Sequence, residues 1–243
     1  MGNTFETAPG PVSAAFDLSP LSTDSMRDRV RRALAIVDTI HLARALPRIP
    51  IDHVVVPDAR AQYRSQVNRG RALGIGIDPF EPRPELSIVH EIGHFLDHQA
   101  IGNRGGFASS RHRSLDAWRQ VVGSTSQIRT LRILARASGE VFAGLLGRAP
   151  GPEDRERIES LLRYTEVWAR SYAQYVVSQS ASLLLIGQLA EERAEANPIQ
   201  SLGFWDDHEF QPIRSAIDDL FRQKGWIDER TSSVQRGGAA APD

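Results

Sequence analysis

Residues 90 to 98 read His-Glu-Ile-Gly-His-Phe-Leu-Asp-His. On a helix His90 and His94 are one turn apart, so both imidazoles leave the same face and can grip one Zn²⁺ at about 2.0 to 2.1 Å. Glu91 falls on the flank of that face, where a carboxylate can take a proton from an activated water; it is the candidate general base. The chain has seven histidines in 243 residues. Random placement gives this spacing in on the order of one such chain in a hundred, which favours a chemical reading.

At 100° per residue, Ile88, Val89, Ile92, Phe95 and Leu96 form one apolar arc, with His90 and His94 opposite. The helix thus has a core face and a separate chemical face. Asp97 leaves the chemical face one turn after His94 and is placed to take the free imidazole N–H of His94. The plainer alternative is a core helix that carries solvated histidines.

A catalytic zinc usually has three protein ligands, so a third is required. His98 is eight residues and about 12 Å along the helix axis from His90, too far to share an ion with it. The metzincin pattern fails as well, because it needs Gly at 97 and His at 100, where this chain has Asp97 and Ala100. Glu166 is the better candidate. It lies at the edge of an apolar helical face with Leu162, Ala169, Ala173 and Val177, beside small residues that permit close helix approach, and a buried carboxylate needs a partner such as a metal. The competing explanation is an ordinary i,i+4 ion pair with Arg170. Glu140, on a glycine-interrupted helix, is a weaker rival.

His-Glu-x-Gly-His-x-x-Asp followed by a Glu-x-[Phe/Trp]-Ala-x-x-[Phe/Tyr] helix resembles the gluzincin-type metallopeptidase domains. These include the catalytic domain of anthrax lethal factor and the zincin-like peptidase domains of phage and mobile-element proteins. The likeness covers the two helices and little else. It implies that His90, His94 and Glu166 bind one Zn²⁺ per chain and that Glu91 activates the water. The chain departs from the lethal-factor pattern at Arg170, where that protein is acidic, and in a longer insert between the helices.

Zinc hydrolases also need a donor for the oxyanion, often a Tyr or His from outside the motif helix. Tyr164 and Tyr172 flank Glu166, and His208 precedes the last helix; each is a candidate, against plainer roles in helix packing. His41, His53 and His112 are read as structural.

The elements that must position these groups follow from periodicity and punctuation. Ile51 to Val56 and Ala72 to Asp78 read as two strands of a small sheet before the motif helix. Gly74 and Gly76 bare one face of the second strand. This suits either an edge that holds an extended peptide or a place of tight packing. A first helix is expected from about Asp24 to Ala45, ended by Pro47 and Pro50. Beyond the motif, helices are expected at Ser114 to Val122, Gln127 to Leu146, Glu153 to Ser178, Ser182 to Ala196 and Glu209 to Lys224. Loops at Gly102 to Arg113 and Asn197 to Asp207 are candidate rims of a cleft. Tryptophans 118, 168, 205 and 226 read as core anchors.

Residues 1–22 and 229–243 are read as flexible tails around one domain at 23–228, because their Pro-, Ser-, Thr-, Ala- and Gly-rich composition buries little. Charges nearly cancel, with 29 basic and 30 acidic residues and no long basic block, so nucleic acid is not an expected partner. The absence of cysteine excludes disulfides, thiolate zinc fingers and cysteine nucleophiles, and leaves histidine and carboxylate as strong metal ligands. Met1 to Pro20 lacks the marks of a signal peptide, no apolar run spans a membrane, and Glu6 stands where a myristoylation signal needs Ser or Thr. A cytoplasmic protein, or one exported or virion-associated without a standard signal, is expected.

The expected fold is α+β, mostly α-helical and zincin-like, with a small sheet packed on the motif helix. The expected activity is zinc-dependent hydrolysis of a peptide or protein substrate. The alternatives are a non-catalytic, metal-stabilised binding or structural module of a phage or toxin, and a zinc-free helical interaction protein.

Overall fold

The computed structural model describes residues 10–55, 60–66, 69–102 and 106–228. Four short strands form one mixed sheet: β1 (Phe16–Asp17), β2 (Ile49–His53), β3 (Ala61–Gln66) and β4 (Arg71–Ile77). Their spatial order is β1-β2-β4-β3, with β1, β2 and β4 parallel and β3 antiparallel to β4. Eleven α-helices are assigned among the described residues: α1 (Asp24–Asp38), α2 (Pro84–Leu96), α3 (Ala108–Arg111), α4 (Asp116–Gly123), α5 (Ser126–Arg136), α6 (Gly139–Leu146), α7 (Pro152–Leu162), α8 (Tyr164–Ser180), α9 (Leu183–Arg193), α10 (Pro198–Ser201) and α11 (Asp207–Gln223). The architecture is α+β and mostly helical. Among the described residues no helix is long and apolar enough to cross a membrane.

α2 lies between the sheet and the helical lobe. Its apolar arc of Ile88, Val89, Ile92, Phe95 and Leu96 is buried, packing against α1, β3 and β4. Its other side meets α8. At that crossing a Cβ on Gly93 would stand 3.0 Å from the Ala169 Cα and 3.1 Å from the Tyr172 ring. Glycine in the motif helix therefore lets the two backbones approach. Trp118, Trp168, Trp205 and Trp226 are all buried, which fits their reading as core anchors.

Several expectations are corrected. β4 is an inner strand, between β2 and β3, so it has no free edge for a peptide; the free edge beside it is β3, which its polar sequence concealed. The glycines of β4 serve packing instead. Gly74 leaves room for Arg64 to cross the strand and donate to both carboxylate oxygens of Asp52 at 2.7 Å, and a Cβ on Gly76 would collide with Val54 at 2.1 Å.

The N-terminal segment is not an arm from residue 10 onward: Val12, Ala15, Phe16 and Leu21 are buried, and Phe16 pairs with Ile49 to start the sheet. Residues 1–9 and the tail at 229–243 lie outside the described residues, as does Val56. The first helix ends at Asp38, earlier than expected, with the Thr39 hydroxyl bonded to the Ile36 carbonyl.

Two helices expected to be continuous are broken. Ser138 caps α6 by accepting from the Val141 amide, so α5 and α6 are separate. Arg163, with ψ of 130°, separates α7 from α8. The second break places Glu166 in the first turn of α8, where a carboxylate suits the helix dipole.

Candidate metal centre

α8 packs against α2 and brings Glu166 between the two motif histidines. Glu166 Oε2 is 3.4 Å from His90 Nε2, and Oε1 is 3.3 Å from His94 Nε2. One ligand atom from each of the three residues falls within 4.8 Å of the others. Bonds of about 2.0 to 2.1 Å at tetrahedral angles put ligand atoms about 3.3 to 3.4 Å apart, and each histidine stands at that distance from one carboxylate oxygen, His90 from Oε2 and His94 from Oε1. Two imidazoles and a carboxylate are also a donor set suited to that ion.

The electrostatics have the same origin. Burial raises the affinity of Glu166 for its proton, but the two imidazoles outweigh this and hold the carboxyl far below the usual range. His94 shows the converse: burial alone depresses it, while Glu166, Glu91 and Asp97 hold it above its ordinary value. Of His90, His94 and Glu166, only His94 is buried, and a carboxylate kept ionised between two ring nitrogens is a group that could hold a cation.

The ion-pair explanation of Glu166 does not hold in this geometry. Arg170 is buried and turns to backbone carbonyls, donating to Glu166 O at 3.3 Å and to Gly203 O and Leu161 O. Its guanidinium also lies 5.7 Å from the Trp205 ring. Glu140 is exposed on α6 and is not in the histidine cluster.

Glu91 lines the same cleft, a space of about 1110 Å³ that also exposes His90, His94, Glu166, Tyr63 and Phe107. Its Oε2 accepts from the Tyr63 amide at 2.6 Å. No other hydrogen bond of this carboxylate is found among the described residues.

Asp97 is buried but does not bond His94. Its oxygens accept from the Ser109 amide at 2.7 Å and the Ser109 hydroxyl at 2.5 Å. Burial pushes its carboxyl up to about 6, against the lowering influence of these bonds. It thus ties the end of α2 to α3 and reaches His94 only through space. His98 sits in a π-helical turn, Asp97–Ile101, that continues α2; its Nδ1 meets the Tyr63 hydroxyl, and it is not part of the His90, His94 and Glu166 group.

The three oxyanion candidates are not brought to the cluster. Tyr172 is buried, its hydroxyl 3.0 Å from His41 Nε2. Tyr164 is partly exposed with its ring against Trp118. His208 is exposed in the first turn of α11. None of the three lines the cleft. The structure brings Tyr63 there instead, on a strand too polar to read from sequence; its being the lone aromatic of that segment was the available signal. His41 is structural, packed among Tyr172, Phe221 and Trp226. His112 caps a short turn by accepting from the Ser114 amide.

No family model, curated protein or solved structure matches the chain.

Proposed function

We propose that the chain is a zinc-dependent metallopeptidase of the gluzincin type. The observation that carries the reading is the placement of both Glu166 oxygens at 3.3 to 3.4 Å from His94 and His90. His90, His94 and Glu166 would hold the ion. When bound, Zn²⁺ supplies Lewis-acid polarisation of a carbonyl and makes water acidic near neutral pH. Glu91 is the base: its carboxylate takes the proton from the attacking water and returns it to the leaving amine. α2 and α8 orient these groups, and the cleft is large enough for several residues of an extended peptide.

The test is metal content and hydrolysis in untagged protein. One zinc per chain is expected, lost in His90→Ala and in His94→Ala. Glu91→Gln should keep zinc and fold but lose peptide hydrolysis by roughly 10² to 10⁴-fold, because glutamine cannot accept the proton. Full zinc retention in either histidine variant sinks the site.

One observation favours a second reading, a metal-stabilised module without catalysis. Glu91 has a structural use here, since it bonds the Tyr63 amide, and so its presence does not by itself require a base. Glutamine can keep that bond. Undiminished hydrolysis in Glu91→Gln would refute the base, and zinc bound to a parent that hydrolyses no peptide would support the module.

A further inference from the structure

The sheet ends at β3, and the geometry of that edge bears on Glu91. In an antiparallel ladder the N–H and C=O of one residue point to the same side, and successive residues alternate. The Asp78 amide donates to Arg60 O, and Gln62 and Arg64 pair across from Gly76 and Gly74. Residues 60, 62 and 64 thus face β4. Tyr63 faces outward, and its N–H meets Glu91 Oε2 at 2.6 Å.

The side chain of Tyr63 is fixed from the same direction. Its hydroxyl is 2.8 Å from His98 Nδ1, and its ring packs edge-on to Phe95 and Phe107 at 6.1 and 6.3 Å. Phe107 in turn stacks on His98 at 5.1 Å. Both ends of one residue are therefore anchored to α2 or its π-helical extension: the amide to Glu91, the hydroxyl one to two turns later to His98. Strand and helix are set in register at the glutamate.

We propose that Tyr63 is the positioning residue for Glu91. Its backbone N–H fixes one carboxylate oxygen, and its ring and hydroxyl fix the strand that carries the N–H. The other oxygen, Oε1, has no hydrogen-bond partner among the described residues and remains for proton transfer. An amide-to-carboxylate bond holds the side chain in one rotamer with no competing acid, which is what a base at a fixed distance from its water requires. The role assigned to Glu91 rests on the peptidase reading; the contact does not.

The experiment is amide hydrogen exchange by NMR on the full chain, with and without one equivalent of Zn²⁺. An outward amide on a sheet edge exchanges fast unless something other than the ladder protects it. The Tyr63 amide is expected to be protected at least tenfold in the parent and in Glu91→Gln, and to lose that protection in Glu91→Ala. The Gln62 and Arg64 amides, bonded within the sheet, should be unchanged in all three.

A second arm is hydrolysis of a quenched-fluorescent peptide pool by the zinc-loaded chain. Tyr63→Pro removes the N–H without breaking a ladder bond, and should lower kcat by roughly tenfold or more beyond Tyr63→Ala, with KM moving less. A Tyr63 amide that exchanges freely in the parent, or stays protected in Glu91→Ala, overturns the proposal, as does equal kcat in the proline and alanine variants. Failure of the parent to bind zinc would instead count against the peptidase reading, and the exchange arm would still decide the contact.

Discussion

The indole N–H of Trp168 donates to the carbonyl of Gly93 at 3.0 Å. This bond joins the residue before His94 to the residue two after Glu166. The spacing of His94 and Glu166 is therefore tied to a side-chain-to-backbone bond at the crossing of α2 and α8, and changes at this crossing should act on the site from behind.

Gly93→Ala tests this directly. Its new Cβ would meet Ala169 Cα at 3.0 Å and the Tyr172 ring at 3.1 Å, contacts that backbone cannot relieve without moving α8. A stability loss of about 1 to 3 kcal/mol is expected, with zinc affinity reduced at least tenfold. Denaturant melts and zinc titration read the two effects. Parent-like affinity in this variant would show that the crossing does not set the ligand spacing.

Glu166→Ala and Arg170→Ala should separate cleanly. The first removes a ligand, so it is expected to weaken zinc binding sharply while the apo fold persists. The second leaves the carbonyls of Leu161 and Gly203 without their buried donor, and should cost roughly 2 to 4 kcal/mol of stability with zinc affinity nearly unchanged in the folded fraction. Equal zinc affinity in parent and Glu166→Ala would remove the carboxylate from the site.

Zinc should raise thermal stability by mass action, since only the folded chain assembles the three ligands. At a free concentration one hundred times Kd the gain is about 2.7 kcal/mol. Calorimetry with and without chelator measures it, and the shift should vanish in His94→Ala. A chelator-insensitive melting temperature in zinc-loaded parent would contradict the site.

His41 should make the protein acid-sensitive. Burial, aided by Arg44, depresses its pKa from 6.5 to about 3. Between those values the unfolded chain binds a proton that the folded one does not, so stability present above pH 6.5 is lost as pH falls toward 3. At pH 4 the loss is roughly 3 kcal/mol. His41→Gln keeps a polar partner for the Tyr172 hydroxyl without the titration. The parent should be the more stable at pH 7, and its advantage should shrink or reverse by pH 4; a constant gap in urea midpoints would refute the assignment.

What was legible in the sequence was what lies within one helix. His90, Glu91 and His94 carry their geometry in their spacing, and Glu166 stood out because a carboxylate beside Ala169 and Ala173 needs a partner from elsewhere. What was not legible depends on contacts across the chain. Asp97 was expected on His94, yet Ser109 offers an amide and a hydroxyl together and wins its carboxylate. Tyr172 neighbours Glu166 in sequence, but lies six residues on and turns into the core toward His41. β3 holds only one aromatic among polar residues, because an edge strand over a cleft buries little. The apolar residues of the segment from 10 to 22 are too sparse for a periodic signal, and find their core only once β2 offers an edge to Phe16.

An uncovered strand edge invites a second copy of the chain to add its own strand and then a third. On β3 that invitation is blunted twice: the register slips between Arg64 and Ser65, and the outward amide of Tyr63 is already taken. The carboxylate of Glu91 thus occupies a donor that a second copy's strand would need for pairing. A substitution that removes its carbonyl oxygen altogether bares the amide, so Glu91→Ala carries a risk of aggregation that Glu91→Gln does not, and its poor recovery from expression would be a matter of solubility and not of lost chemistry.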